Sequence, residues 1–156
     1  MNVLHCPNPE LRKVSTAVPP ERIATPDSQK LIADLKATMK LEDGIGIAAP
    51  QVGVHDRIII VDLEDVGPTA FYNPEIVQRS FKMIDSEEGC LSVPGQSGIV
   101  KRHRSVTVEA VDEQGEEIEI QASGLMATVF QHEIDHLDGI LFIDRAEEIQ
   151  KVSKRL

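Results

Sequence analysis

The chain has 156 residues, 41% of them hydrophobic, which predicts one compact domain spanning 1–156 with a substantial buried core. Lys and Arg number 16 against 26 Asp and Glu, so the net charge of -10 argues against DNA or general nucleic-acid binding and against an anionic membrane surface. Only Cys6 and Cys90 are present and no long apolar run occurs, which predicts reduced thiols, a cytoplasmic location and no transmembrane segment.

In chain order, Thr25-Pro26 caps and starts a helix whose Leu31, Ile32, Leu35 and Met39 recur at helical spacing until Gly44. The next stretch, Gly44-Ile45-Gly46-Ile47-Ala48-Ala49-Pro50-Gln51, has the letters of a dinucleotide fingerprint, with Asp62 downstream as a ribose-binding acid would be. That fingerprint must follow a strand and open a helix, whereas this one follows a helix and runs into Pro50 and Gly53. It reads better as an extended edge segment whose glycines admit a second backbone, such as a bound peptide strand, with the Gln51 amide N–H at its end.

Arg57 to Asp62 reads as a strand, followed by a turn near Gly67-Pro68 and two extended pieces around Phe71-Tyr72 and Ile76-Val77. Glu87-Glu88-Gly89-Cys90-Leu91-Ser92-Val93-Pro94 is a polar-to-apolar junction with a glycine directly before the thiol. Lys101-Arg102-His103-Arg104 reads as a solvated strand edge or a local ion-pair partner for Glu88. Val106, Val108 and Ala110 alternate with polar residues, as do Ile118 and Ile120 beyond a turn at Glu113-Gln114-Gly115, which predicts a hairpin. A helix follows it directly, from Leu125 to Leu137 without proline or glycine, with Ser123 as N-cap and Gly139 as terminator. The order is α+β: one compact domain of mixed or antiparallel sheets packed around this helix.

The last helix carries His132-Glu133-Ile134-Asp135-His136, an H-E-x-x-H pattern. On a helix, a spacing of four aims both imidazoles at one point, and the glutamate beside them is placed to accept a proton from activated water. Val129 and Leu125 continue the histidine face, while Met126, Phe130, Ile134 and Leu137 form a neighbouring core stripe. The bland alternative is a pair of hydrogen-bonded histidines, but three specified residues of these uncommon types in one short pattern favour a metal.

A third ligand is needed. The extended protease pattern would place a histidine where Phe142 stands, and Glu147 and Glu148 are the only candidates for the downstream glutamate of the alternative protease pattern. Upstream, Cys90 is the better candidate, with His103 and His55 in polar flanks as the remaining ones. A thiolate with two imidazoles leaves a fourth position for water or substrate. Softness alone suggests zinc, with iron as the alternative.

Three stretches, Gly44 to Gln51, Glu88 to Ser92 and His132 to His136, resemble in order and spacing the three motifs of peptide deformylases. The likeness extends to Leu11-Arg12-Lys13-Val14, Asn73-Pro74-Glu75 and Leu137 to Phe142, and so covers nearly the whole chain. It implies a metal-dependent hydrolase that removes the N-formyl group from the initiator methionine of nascent polypeptides. Carried over by residue, it implies Cys90, His132 and His136 as metal ligands, Glu133 as base and acid, and Gln51 with the Leu91 backbone N–H as oxyanion donors. It further implies Gly46 as a backbone partner of the substrate strand, with Ile45, Leu125 and Val129 around the methionine pocket. The implied native ion is Fe(II), with Zn, Ni or Co as substitutes.

Departures concern specificity. Ser86 and Thr128 stand near the pocket where aliphatic side chains are expected, and Ser97 stands where a group of bacterial members has arginine. The tail from Glu147 to Leu156 is short for the C-terminal helix with which some members dock transiently on the ribosome, and reads as a solvated helix end. A metalloendopeptidase and a non-catalytic metal module are the competing classes. Phe142 argues against the first, and the intact Glu133 and Gln51 against the second.

Overall fold

The structure, a computed structural model, describes residues 1–151. Helix α1 spans Pro26–Leu41 and begins as expected: the Thr25 side chain accepts from the Ser28 N–H, with Pro26 at the first helical position. Ile32, Leu35 and Met39 are buried on one face.

The strands that follow are β1 (Gly46–Ala48), β2 (Ile58–Leu63), β3 (Gly67–Arg79), β4 (Met83–Cys90), β5 (Val93–His103), β6 (Ser105–Val111) and β7 (Glu117–Ser123). After them come α2 (Leu125–Leu137), the single turn α3 (Phe142–Arg145) and β8 (Ile149–Lys151). One sheet has the order β1-β2-β3-β6-β7 and the other β4-β5-β8. Every ladder within them is antiparallel, so the fold is α+β with antiparallel sheets. No helix among the described residues is long and apolar enough to cross a membrane.

Helix α2 packs on β1, β2 and β7 of the larger sheet and on β5 of the smaller one, so it lies at the centre of the molecule. Its expected core stripe is in place. Phe130, Ile134 and Leu137 are buried with Ile59, Phe71 and Val108, and Met126 packs against them. The Phe71 and Phe130 rings meet edge to face at 5.2 Å, a favourable orientation for ring quadrupoles. The other face of the larger sheet buries Ile58, Ile60 and Tyr72 beside α1. The alternation of β2 residues between two cores explains why this strand is apolar at consecutive positions.

Three expectations need correction. The turn lies before Gly67, and the two extended pieces are one long strand, β3, whose register slips between Tyr72 and Glu75 and again between Ile76 and Gln78. Asn73 makes the first slip: it sits at φ 51°, accepts from the Val18 N–H at 2.8 Å and donates to the Val18 carbonyl at 2.9 Å. Asparagine tolerates that backbone region, and Pro74 is tolerated at a bulge.

Ser123 is the last residue of β7 and no cap. The strand passes to α2 through Gly124 at φ 61° and ψ -132°, a conformation open to glycine, with no side-chain cap. The segment expected as a solvated helix end instead forms β8, which pairs with β5 at Gln96, Ser97 and Gly98. Residues 152–156, the basic end considered for docking, lie outside the described residues. Both readings of the basic run find a place: Lys101 and Arg104 are exposed, whereas Arg102 is not. It is 3% exposed and pairs with Glu88, which was the alternative reading of that basic run.

Candidate active site

The hairpin β4–β5 and the helix α2 bring Cys90, His132 and His136 together. One ligand atom from each lies within 4.8 Å of the others, and Cys90 Sγ is 3.3 Å from His136 Nε2. Metal bonds of about 2.0–2.3 Å in a tetrahedral arrangement put neighbouring ligand atoms roughly 3.5 Å apart, so the separation suits a shared ion. The His132 and His136 rings stand edge to face at 5.2 Å, as the one-turn spacing requires.

Each ring is oriented from behind. His132 Nδ1 lies 2.8 Å from Glu88 Oε1, which leaves Nε2 for the cluster. Glu88 is itself gripped by both ends of the Arg102 fork, Nε to Oε2 and Nη2 to Oε1, each at 2.8 Å. Phe142 is fully buried and stacks on the His132 ring at 6.2 Å with planes 21° apart. The position that would carry a third histidine in the extended protease pattern is therefore an apolar wall of the site.

The electrostatics favour a cation here. Burial alone would lower the His132 imidazole, but its bonds to Cys90 and Glu88 and the nearby Glu133 charge outweigh burial and hold it well above the usual histidine range. Burial drives His136 the other way, well below that range, aided by the charge at His132. Burial would also raise the Glu88 carboxyl, yet the Arg102 and His132 bonds bring it down to about 2. A buried centre whose surroundings favour positive charge, with the Glu88 carboxylate behind it, fits a divalent ion held by one sulfur and two imidazoles.

Glu133 lies beside this cluster. Burial pushes its carboxyl up to about 7, and its Oε1 is buried without a hydrogen-bond partner among the described residues. Such a group is suited to exchange protons near neutrality. Gly46 explains how it fits: a Cβ at that position would stand 2.7 Å from Glu133 Oε2 and 2.9 Å from its Cγ. The glycine therefore makes room for the glutamate of α2 first of all, a reason additional to the approach of a substrate strand.

Gln51 closes the other side. Its Oε1 accepts from the Ala48 N–H at 2.9 Å, which fixes the orientation of the amide. Its Nε2 donates to Ser92 Oγ at 3.1 Å and lies 3.6 Å from Cys90 Sγ. A cleft of about 650 Å³ opens over these groups, lined by Gly46, Gln51, Leu91, Val129 and Glu133 among others. Ile45 and Leu125 line it from exposed positions, while Val129 is buried within it. Ser86, Thr128 and Ser97 also face it. Strand β1 is an edge of its sheet, paired with β2 alone, as expected for a segment that accepts a peptide strand.

The remaining candidates fall away from the cluster. His55 Nε2 contacts the Glu10 carbonyl at 3.0 Å, and His103 Nδ1 the Ser80 carbonyl at 2.8 Å. Glu147 and Glu148 are exposed. What residue reading missed is the support behind the ligands: Arg102 as a buried group, and Asp135, which accepts from Arg102 Nη1 at 2.8 Å and from Arg145 Nε at 2.8 Å. Strand parity carried a signal, because Arg102 shares the inward face of β5 with Val100 and Gly98.

A family model described as polypeptide deformylase matches residues 1–152. A peptide deformylase of Natranaerobius thermophilus is 50% identical over 78% of this chain and 78% of its own length. One from Desulforudis audaxviator is 42% identical over 96% of this chain and 95% of its own. Among solved structures, a class I type b peptide deformylase from Acinetobacter baumannii with bound Met-Ala-Ser has a TM-score of 0.89 and 36% identity, covering 93% of this chain and 97% of that one. A peptide deformylase from Synechococcus elongatus in complex with actinonin also has a TM-score of 0.89 and 36% identity, over 95% of this chain and 81% of that one.

Proposed function

The chain belongs to the polypeptide deformylase family, metal-dependent hydrolases that remove the N-formyl group from the N-terminal methionine of nascent polypeptides, and from that premise we propose which of its residues perform each step. Cys90, His132 and His136 hold the ion, Glu133 moves the proton, and Gln51 with Leu91 meets the developing charge. Residues 1–156 act as one catalytic domain. The observation that carries this assignment is the convergence of three ligand atoms within 4.8 Å beside a buried, unpartnered carboxylate oxygen.

When bound, the ion supplies Lewis acidity and a water whose pKa is brought towards neutrality. Glu133 takes the proton of the attacking water, and the oxygen adds to the formyl carbon. Negative charge gathers on the former carbonyl oxygen, where the Gln51 Nε2–H and the Leu91 backbone N–H stabilise it. As the C–N bond breaks, Glu133 returns the proton to the amine, and formate and the free N-terminus depart. The lift of Glu133 to about 7 supports both halves of this duty.

Gly46 on the free side of β1 hydrogen-bonds the substrate backbone, an added strand at a sheet edge. Ile45, Leu125 and Val129 enclose the methionine side chain. Fe(II) is the assigned native ion, with Zn, Ni or Co as substitutes. The family resemblance supports iron, whereas the donor set suits zinc equally. Metal analysis of protein isolated without oxygen decides between them. A nascent-chain substrate and two free thiols support a cytoplasmic location.

The test is formate release from formyl-Met-Ala by the Fe(II) form under anaerobic conditions. Glu133→Ala is expected to retain its metal and lose at least about a hundredfold in kcat. Turnover equal to wild type would remove Glu133 from its role, and no formate from the wild type would overturn the function.

A further inference from the structure

Arg145 touches neither the cleft nor the metal ligands, yet it ends a continuous chain of charged contacts that reaches one of them. Its Nε donates to Asp135 Oδ2 at 2.8 Å and its Nη2 to Asp135 Oδ1 at 3.1 Å. Asp135 Oδ2 also accepts from Arg102 Nη1 at 2.8 Å. The other two nitrogens of Arg102 are taken by Glu88, whose Oε1 holds His132 Nδ1. Signs alternate along the path: guanidinium, carboxylate, guanidinium, carboxylate, imidazole.

Burial falls steeply along the same path. The Arg145 side chain is 46% exposed, Asp135 14%, and Arg102 and Glu88 only 4% and 7%. The inner pair is thus a desolvated fork-on-carboxylate contact, sensitive to geometry, whose outer anchor is a single exposed residue. Removing Arg145 leaves Asp135 Oδ1 without its donor and lets Asp135 turn towards water. Arg102 then keeps Glu88 but loses the contact that fixes the far side of its plane, and the angle at which Glu88 meets His132 is no longer determined from outside.

Arg145 is itself placed by the turn α3, which follows the metal helix at once. That turn is pinned at Asp144 by a two-nitrogen contact from Arg12 and at Phe142 by the stack on His132. The turn therefore reaches His132 from two directions, by the ring of Phe142 and by the charge relay from Arg145.

We propose that Arg145 is a positioning residue for the metal centre, acting through Asp135, Arg102 and Glu88 on His132 so as to slow release of the ion. The proposal rests on the assignment of Cys90, His132 and His136 as ligands. Cobalt(II) is the probe: the protein is loaded with one equivalent, and transfer of the metal to excess EDTA is followed by loss of the cobalt–thiolate absorption. Arg145→Ala is expected to release cobalt about tenfold faster, and Arg145→Lys, which keeps the charge but not the fork, to fall between. Arg22→Ala, which removes a comparably exposed contact with Asp56 elsewhere, is expected to release cobalt at the wild-type rate.

In a Glu88→Gln background, Arg145→Ala is expected to add nothing further, because its path to His132 is already interrupted. Release from Arg145→Ala within twofold of wild type overturns the proposal, as does an effect of undiminished size in the Glu88→Gln background. A lowered Tm with unchanged release makes Arg145 a brace of the fold alone. Failure of the ligand assignment is distinguishable: wild type would then take up no cobalt, or Cys90→Ser would hold it as long as wild type.

Discussion

Two residues decide the local chemistry by what they exclude. Gly46 has no Cβ, and that vacancy is filled by the Glu133 carboxylate. Gly46→Ala is expected to displace Glu133 and lower kcat by tenfold or more while the far-UV spectrum and metal content stay as in wild type. An unchanged kcat would show that the glutamate has another place to sit. Glu88 sets a pH limit. Its carboxyl is held at about 2 in the folded chain against an ordinary value of 4.5, so the unfolded state binds the extra proton between those values. The stabilisation is complete above about pH 4.5 and is lost as pH falls towards 2. Urea midpoints measured from pH 6 to pH 3 should therefore fall more steeply for wild type than for Glu88→Gln, and parallel profiles would contradict the assignment.

At the level of elements, α2 packs the core with one face and carries the residues proposed for catalysis on another. Phe130 faces the larger sheet and Phe71, away from the ligands. Phe130→Ala should cost about 3–5 kcal/mol of stability, the usual penalty for a large buried cavity. Chemical denaturation of the metal-loaded protein checks it, and a loss below 1 kcal/mol would mean that the site collapses around the gap. The entry to α2 shows what sequence reading could not settle. Ser123 is a good N-cap by type, yet β6 holds it in register opposite Ser105, and Gly124 is left to turn the chain. Tertiary pairing outweighed a local preference there. In β3, likewise, a turn signal at Gly67-Pro68 was the start of a strand, because the turn is completed just before it, from Glu64 to Val66 with Asp65 at φ 66°.

Across the whole molecule, the parts legible in sequence were those with a period or a fixed spacing: α1, the β6–β7 hairpin, the core stripe of α2 and the one-turn histidine pair. Cys90 was legible as a candidate for the third position because alternatives were few, and it does fall in the cluster with His132 and His136. The Arg102–Asp135–Arg145 support was hidden, since it joins residues from β5, α2 and α3 whose proximity depends on how the two sheets close. That closure has a thermodynamic side. Cys90 belongs to the smaller sheet, whereas His136, 46 residues further on, belongs to the helix seated on the larger one. An ion held between them is a cross-link, and pinning a loop of that length removes unfolded-chain entropy worth about 4 kcal/mol in the manner of a disulfide. Chelation should therefore loosen the seam between sheets before it loosens either sheet. Amide exchange is expected to quicken in β4 and β5 on metal removal while β6 and β7 stay protected, and equal acceleration throughout would mean that the ion does not act as a rivet. A hydrolase of this design would carry its cofactor as a structural fastening as well as a reagent, and the cell's metal supply would set how long the enzyme survives as well as how fast it works.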